Sequence, residues 1–516
     1  MQMAPFLLAG ALVAATTMGS LACQSDSGTK FPLRIESGKS YPLDRDGRPF
    51  FMQGDSPWSL IGDLTEEDAD LYLEDRKVRG FNTVLVNLLE HRFSRNAPAN
   101  AYGEKPFADN GNFVAPNEAY FAHADRILQK ACDLGFLVLL APAYLGYGGG
   151  ADGWYREMSA AGVGKLNAFG HFVGRRYRHF DNIMWVNGGD YNPADKDLVR
   201  ALAKGIMDED PDALSTVHGA SDTAPLDFWG RESWLKVNNV FTYGPVYTSA
   251  IREYNLSRGM PFFLMETAYE FEYGADEYRI RIQAYQAILS GAFGHLYGNN
   301  PIWHFGGPGL FRETMSWKEA LDSPGAKSMG VLFALMSSMK WWLLEPDSKN
   351  RLLVDGTGKD MGRAVAATAK DGSYAVVYMP ANDRITVDLA RLSAASVRAH
   401  WRDPTSGEVT DVEGSPFKAE RTVFQPPELN SRGYRDWILE LIAQGRPEAQ
   451  VNERAIACSR QCKARRAPIP PKALDERHYK RGKRRQRFLE RGILGVHWRS
   501  PLFLQAQVAS RISILA

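Results

Sequence analysis

Ile183-Met184-Trp185-Val186 leads through Asn187-Gly188-Gly189 to Asp190, and Phe262-Phe263-Leu264-Met265 leads directly to Glu266, so two apolar runs each hand over to a carboxylate. Such runs, bounded by polar or turn-forming residues and carrying no polar face, read as strands covered on both sides, as in parallel sheets. Runs of the same type recur near 50–54, 81–88, 136–141, 214–218, 240–243 and 294–297. Segments with helical spacing of apolar residues lie among them at 66–79, 118–134, 162–177, 195–207 and 278–290. Eight strands separated by such helices place the region in the α/β class and favour a (β/α)8 TIM barrel over an open doubly wound sheet. In a barrel the C-terminal ends of all strands open onto one mouth. Asp190 after the fourth strand and Glu266 at the end of the seventh should therefore meet there, although 76 positions separate them.

After Trp341-Trp342 the pattern changes to short alternating runs such as Ala364-Val365-Ala366-Ala367 and Tyr374-Ala375-Val376-Val377-Tyr378, punctuated by Asp371-Gly372 and Pro404-Thr405-Ser406-Gly407. These read as a small antiparallel β-sandwich. The 516 residues then divide into an export signal over 1–23, a catalytic barrel over 32–348, a β-sandwich accessory domain over 349–443 and a basic tail over 444–516. From Arg446 onward there are 17 Lys and Arg against 5 Asp and Glu, and no periodicity, so that part is expected to be disordered. A solvated charged tail is the expectation rather than a nucleic-acid arm.

The apolar stretch from Phe6 to Leu21 is too short to span a bilayer, for which about 20 residues are needed, and reads as a secretion signal. Cys23 after it resembles the lipid-modified cysteine of bacterial lipoproteins, although Ser20 stands where Leu is usual and no Lys or Arg precedes the run. Export to the periplasm or cell surface of a bacterium, with a lipid anchor in the membrane at Cys23, is expected. Four cysteines make no disulfide framework in so long a chain, and Cys458 with Cys462 lacks a second pair at zinc spacing. No metal or other cofactor is expected. Gly148-Gly149-Gly150-Ala151-Asp152-Gly153 fits the dinucleotide fingerprint in form, but no acid follows at the spacing a ribose needs, and a loop at the barrel mouth is the better reading. Zinc-protease and nucleophile-elbow patterns do not occur.

Paired carboxylates at one mouth suit glycosidic bond cleavage, in which one carboxylic acid protonates the leaving oxygen and another carboxylate attacks the anomeric carbon or activates water. Asp190 and Glu266 are the candidates. Around them the predicted strand ends place Asp55 and Trp58, Asn87 and His91, Tyr144, His218, Tyr243, and Trp303 with His304. Of these, Asp55, Trp58, Asn87, Tyr144, His218, Tyr243 and Trp303 are the candidate substrate-binding residues, aromatic rings stacking on sugar faces and polar groups meeting hydroxyls. Glu90 and Glu270 are rival acids. A polysaccharide or oligosaccharide is the expected partner.

The residues also carry a resemblance. Phe51-Met52-Gln53-Gly54-Asp55-Ser56-Pro57-Trp58, Tyr72-Leu73-Glu74-Asp75-Arg76 leading to Gly80-Phe81-Asn82-Thr83, Asn187-Gly188-Gly189-Asp190-Tyr191-Asn192-Pro193, Met265-Glu266 with Tyr269-Glu270, and Ser290-Gly291-Ala292 leading to Tyr297-Gly298 are similar to the apiosidase-like family, glycoside hydrolase family 140. The resemblance runs from about Ile35 to Pro346. It implies a barrel with an Asp acid/base and a Glu nucleophile, corresponding to Asp190 and Glu266, and hydrolysis of apiose linkages in the pectic polymer rhamnogalacturonan II. Many related barrels end strand four on Asn-Glu, whereas Asn187 is followed here by Gly188-Gly189-Asp190. Trp401-Arg402-Asp403-Pro404 with Gly407-Glu408 resembles a domain family named for collagen binding, a label that is no evidence for collagen. The expected function is a retaining glycoside hydrolase acting on plant-type polysaccharide. The rival reading is a non-catalytic carbohydrate-binding or adhesion protein.

Overall fold

The computed structural model describes residues 28–445, apart from Asn110, Ser257 and Arg258. The expected signal over 1–23, Cys23, the Cys458–Cys462 pair and the tail from Arg446 lie outside the described residues.

Eight parallel strands form the first sheet: β1 Met52–Asp55, β2 Thr83–Asn87, β3 Leu137–Ala141, β4 Ile183–Gly188, β5 Leu214–His218, β6 Asn238–Phe241, β7 Phe262–Glu266 and β8 Gly294–Tyr297. Their order, β5-β4-β3-β2-β1-β8-β7-β6, curls the sheet into a nearly closed TIM-like barrel. Main-chain pairing is missing only between β5 and β6 of that ring. There the Asn239 side chain stitches the gap, its Nδ2 donating to Val217 O at 2.8 Å and Thr216 Oγ1 at 3.0 Å. Every residue of β2 and β3 is buried, which is why β3 and the centre of β2, Val84-Leu85-Val86, are continuously apolar rather than alternating.

The helices are α1 Leu60–Asp63, α2 Glu66–Val78, α3 Glu118–Asp133, α4 Tyr155–Tyr177, α5 Asp197–Glu209, α6 Pro225–Phe228, α7 Val246–Leu256, α8 Glu277–Ile288, α9 Trp317–Ala320 and α10 Pro324–Ser338. Thr65, Asn117 and Asp276 start α2, α3 and α8 by accepting a backbone N–H of the first turn. The helix expected from 162 begins at Tyr155 instead, because Gly162 at φ 77° breaks the run without ending it. α7 and α10 were not legible. In α10, Gly and Ser occupy positions where charged residues would mark an outer face, so its apolar stripe has no contrast.

Beyond the barrel lie β9 Leu344–Pro346, β10 Leu353–Asp355, β11 Val365–Ala369, β12 Tyr374–Met379, β13 Ile385–Asp388, β14 Ser396–Arg402, β15 Val409–Asp411, β16 Phe417–Lys418, β17 Arg421–Phe424 and β18 Trp437–Gln444. They make a seven-stranded antiparallel sheet, β15-β14-β18-β12-β11-β9 with β16 on β14, and a three-stranded sheet, β10-β13-β17. Alternation along β12 has a double use. Ala375, Val377 and Met379 face the small sheet, while Val376 and Tyr378 join the barrel's core. The large sheet is therefore covered on both faces. Against α8, Tyr378 stacks on Tyr285 with ring centroids 4.5 Å apart, and Arg281 Nε and Nη2 reach Asp436 at 2.6 and 2.9 Å. Arg281 and Asp436 are both fully buried.

Candidate active site

Glu266 is the last residue of β7, and Asp190 lies two residues beyond β4, both on the side of the barrel where the strands end. Neighbouring strands hold Glu266 from two directions. His218, which ends β5, places Nε2 2.7 Å from Oε2, and Tyr243, two residues past β6, donates its hydroxyl to Oε1 at 3.4 Å. Burial alone would lower the His218 imidazole. The hydrogen bond and charge of Glu266, helped by Asp190, outweigh burial and raise it. With Glu266 as the acceptor, His218 presents Nε2–H to its Oε2. Its ring is enclosed by Trp58 at 5.5 Å and Phe241 at 5.0 Å, with Tyr144 at 6.2 Å.

Asp190 has the opposite setting. It accepts no hydrogen bond from a described side chain and is partly buried, so desolvation pushes its carboxyl up to about 7; His218 pulls down, and the charges of Glu266 and Asp152 push further up. The two glycines before it explain the departure from Asn-Glu. Gly188 sits at φ 84°, and a Cβ there would stand 2.3 Å from His218 O; one on Gly189 would stand 2.4 Å from Leu145 N. The chain thus passes in backbone contact with the ends of β5 and the loop after β3, and the acid emerges past this crossing. Gly148 N in turn donates to Asp190 O at 3.0 Å, so the glycine-rich loop closes over the site as a mouth loop.

The remaining candidates separate. Trp58 and Tyr144 pack with centroids 5.7 Å apart beside His218, and Trp58 Nε1 donates to Tyr269 Oη at 2.8 Å. Tyr144 is raised by burial and then by the charges of Asp190 and Glu266, which puts it within their field. Asn87 is buried with Nδ2 3.5 Å from Glu90 and Oδ1 unpartnered among the described residues. Trp303 donates Nε1 to Glu272 Oε1 at 2.7 Å. Asp55 is not brought to the mouth. It is fully buried, binding Arg76 Nη1 at 3.2 Å and Tyr72 Oη at 2.8 Å, because a strand-end acid facing the helix layer needs a cation there. His304 is sealed between Gly307 O and Asn300 Oδ1, and His91 is engaged by Glu157 at 3.2 Å.

Both rival acids hold the scaffold. Glu90 accepts the Ser59 hydroxyl and the backbone N–H of His91, Arg92 and Phe93. Glu270 accepts Tyr297 Oη, Asn299 Nδ2 and Gly325 N, fixing the loop after β7 to the start of α10. The sequence reading missed the His218–Glu266 bond, Asp152 and Glu272. The first two involved residues or segments already singled out, but no spacing rule joins strand five to strand seven. Among the described residues no group of three or more His, Cys, Asp and Glu is arranged to hold a metal ion.

Two carboxyls at one barrel mouth, backed by aromatic rings, can supply the acid and the nucleophile that glycosidic cleavage needs. The catalytic-domain model described as apiosidase-like matches residues 36–343. The chain belongs to the apiosidase-like family. Its second domain matches, over residues 346–442, the family described as "Putative collagen-binding domain of a collagenase". Among solved structures, one called simply a glycoside hydrolase is 25% identical, with a TM-score of 0.71 over 81% of this chain and 100% of that one. A glycoside hydrolase family 5 protein from Bacteroides vulgatus is 24% identical, with a TM-score of 0.71 over 82% of this chain and 97% of its own. No curated protein sequence matches the chain. Membership of this apiosidase-like family makes the barrel a glycosidase, and its substrate a carbohydrate.

Proposed function

We propose that this glycosidase cleaves with retention of configuration, Glu266 acting as nucleophile and Asp190 as acid/base. The observation that carries the reading is the contrast between the two carboxyls. Glu266 is oriented by a donated His218 Nε2–H, while Asp190 lacks a donor and is pushed up to about 7. Below that pH Asp190 holds the proton a leaving oxygen requires. Glu266 attacks the anomeric carbon as Asp190 passes its proton to the departing oxygen, giving a glycosyl-enzyme ester and an ionised Asp190. Asp190 then takes a proton from water, which attacks the same carbon and releases Glu266. The ring set of Trp58 and Tyr144 supports a sugar face beside the reacting bond.

The pectic substrate, with apiose linkages of rhamnogalacturonan II as the narrower choice, rests on the family resemblance. The 6–21 apolar stretch and Cys23 support export and lipid anchoring at a bacterial cell surface. The test is reducing-end release from rhamnogalacturonan II by wild type, Glu266→Ala and Asp190→Ala. We expect Glu266→Ala to be inactive on every substrate. With an activated aryl glycoside, azide should accelerate Asp190→Ala and yield a glycosyl azide of retained configuration, because azide needs no base. Wild-type rates for Asp190→Ala on polysaccharide, or azide rescue of Glu266→Ala with a product of retained configuration, would overturn the assignment. Binding without any release by wild type would favour a non-catalytic glycan binder.

A further inference from the structure

Among the described residues, the buried carboxylates are, with one exception, well supplied with donors. Asp55 has Arg76 and Tyr72, Asp436 has Arg281, Tyr378 and Asn430, and Glu277 has Arg281 and Arg432. Glu90 and Glu270 have the donors described above. Glu272, only 8% exposed, has a single one: Trp303 Nε1 on Oε1. Oε2 makes no hydrogen bond among the described residues, yet it is not sealed from solvent. No cation offsets it, and the charge it feels is that of Glu266. An acid set beside another acid with one oxygen free is a poor structural element.

The backbone holds Glu272 in place by unusual means. Phe271 at φ 71° and Tyr273 at φ 50° both occupy the left-handed region, which bulky residues rarely enter, on either side of it. The turn is pinned by Phe271 N to Ala275 O at 2.8 Å, by Glu272 N to Tyr269 O at 3.1 Å, and by the anchored Glu270 one residue before. Glu272 thereby turns inward to Trp303 while Tyr273, 76% exposed, stands outward against Phe311 at 4.6 Å.

Resting on the glycosidase reading above, we propose that Glu272 is a substrate-contacting, specificity-determining residue whose Oε2 hydrogen-bonds a hydroxyl of the sugar unit held at Glu266, and that this unit is neutral rather than a uronic acid. A sugar hydroxyl accepts the proton of the neutral carboxyl, and once Glu272 ionises that donation is lost and a second charge stands in the field of Glu266. A sugar carboxylate would add a further negative charge to a mouth that already holds Asp190, Glu266 and Asp152. Burial raises the Glu272 carboxyl to about 8, with the Trp303 N–H opposing and Glu266 adding to the rise. At neutral pH it therefore carries a proton it can donate. The other titratable groups facing it are Tyr243, Tyr269 and Tyr273, each raised above its usual range by burial first.

The experiment uses the full chain and oligosaccharides prepared from rhamnogalacturonan II, with calorimetric Kd on a Glu266→Gln background and kcat/KM by reducing-end release. We expect Glu272→Ala to weaken binding at least tenfold and to lower kcat/KM by a similar factor. The parent's affinity should fall as pH passes 8, and the isosteric Glu272→Gln should keep the fold and most of the affinity and lose that fall. Carboxyl-reduced oligosaccharides should bind the parent at least as well as native ones. Unchanged Kd in Glu272→Ala, or an unaltered pH profile in Glu272→Gln, overturns the proposal while leaving the hydrolase reading intact. Binding by the parent without turnover in wild type overturns the hydrolase reading, and the Kd comparison still decides the role of Glu272. No binding at all overturns both.

Discussion

Replacing Asp190 by Asn should stabilise the protein at alkaline pH while removing its activity. The Asp190 carboxyl rises from an ordinary 3.8 to about 7 on folding, with burial the first cause. At about 1.36 kcal/mol for each tenfold change in proton affinity, the ionised group destabilises the fold by about 4 kcal/mol. The direction follows from proton uptake. Between pH 3.8 and 7 the folded state binds the proton more tightly than the unfolded state, so stability falls across that window and is flat above it. Asn cannot ionise and has no such slope. Urea denaturation of wild type and Asp190→Asn at pH 4 and pH 8 measures the effect, read as the change in their stability difference between the two pH values. We expect the variant to gain about 2–4 kcal/mol over wild type on going to pH 8. On polysaccharide its kcat should fall by about 10²–10⁴, since an amide has no proton to give the leaving oxygen. Parallel pH–stability curves for the two proteins would refute the claim that desolvation of Asp190 stores free energy for acid catalysis.

Gly188→Ala places a Cβ 2.3 Å from His218 O at a backbone φ of 84°, so it should displace both Asp190 and His218. We expect kcat/KM to drop at least about 100-fold, as misplacement by an ångström can cause, with circular dichroism still reporting a folded chain. Arg281→Met strands Asp436 between the domains; a loss of about 3–5 kcal/mol in urea denaturation is expected, and a loss under about 1 kcal/mol would show that Tyr378 and Asn430 suffice for that carboxylate.

The barrel was legible because strands covered on both faces, β3, β7 and the first part of β4 above all, stand out as continuous apolar runs. β5, β7 and β8 fall at the expected residues, and Asp190 and Glu266 reach the same mouth. α7 and α10 were not, since a helix reads clearly from sequence only when its buried and exposed faces differ. Nearest-neighbour reasoning also failed Asp55. Its place at a strand end suggested the mouth, but the deciding partner is Arg76 on α2, 21 residues away. Glu272 escaped for a related reason. What distinguishes it is the scarcity of donors around it, and scarcity of that kind exists only after folding.

A sheet covered on both faces has a consequence for how such proteins can be assembled over evolutionary time. Val376, Tyr378 and Ile438 belong to the barrel's core, so a β-domain moved to another host would arrive with a greasy flank and no matching helix. The barrel, cut before β9, would expose Tyr285 and leave Arg281 without Asp436, with Glu277 as its remaining carboxylate. The two halves thus behave as one heritable piece. Recombination at their junction should yield aggregates.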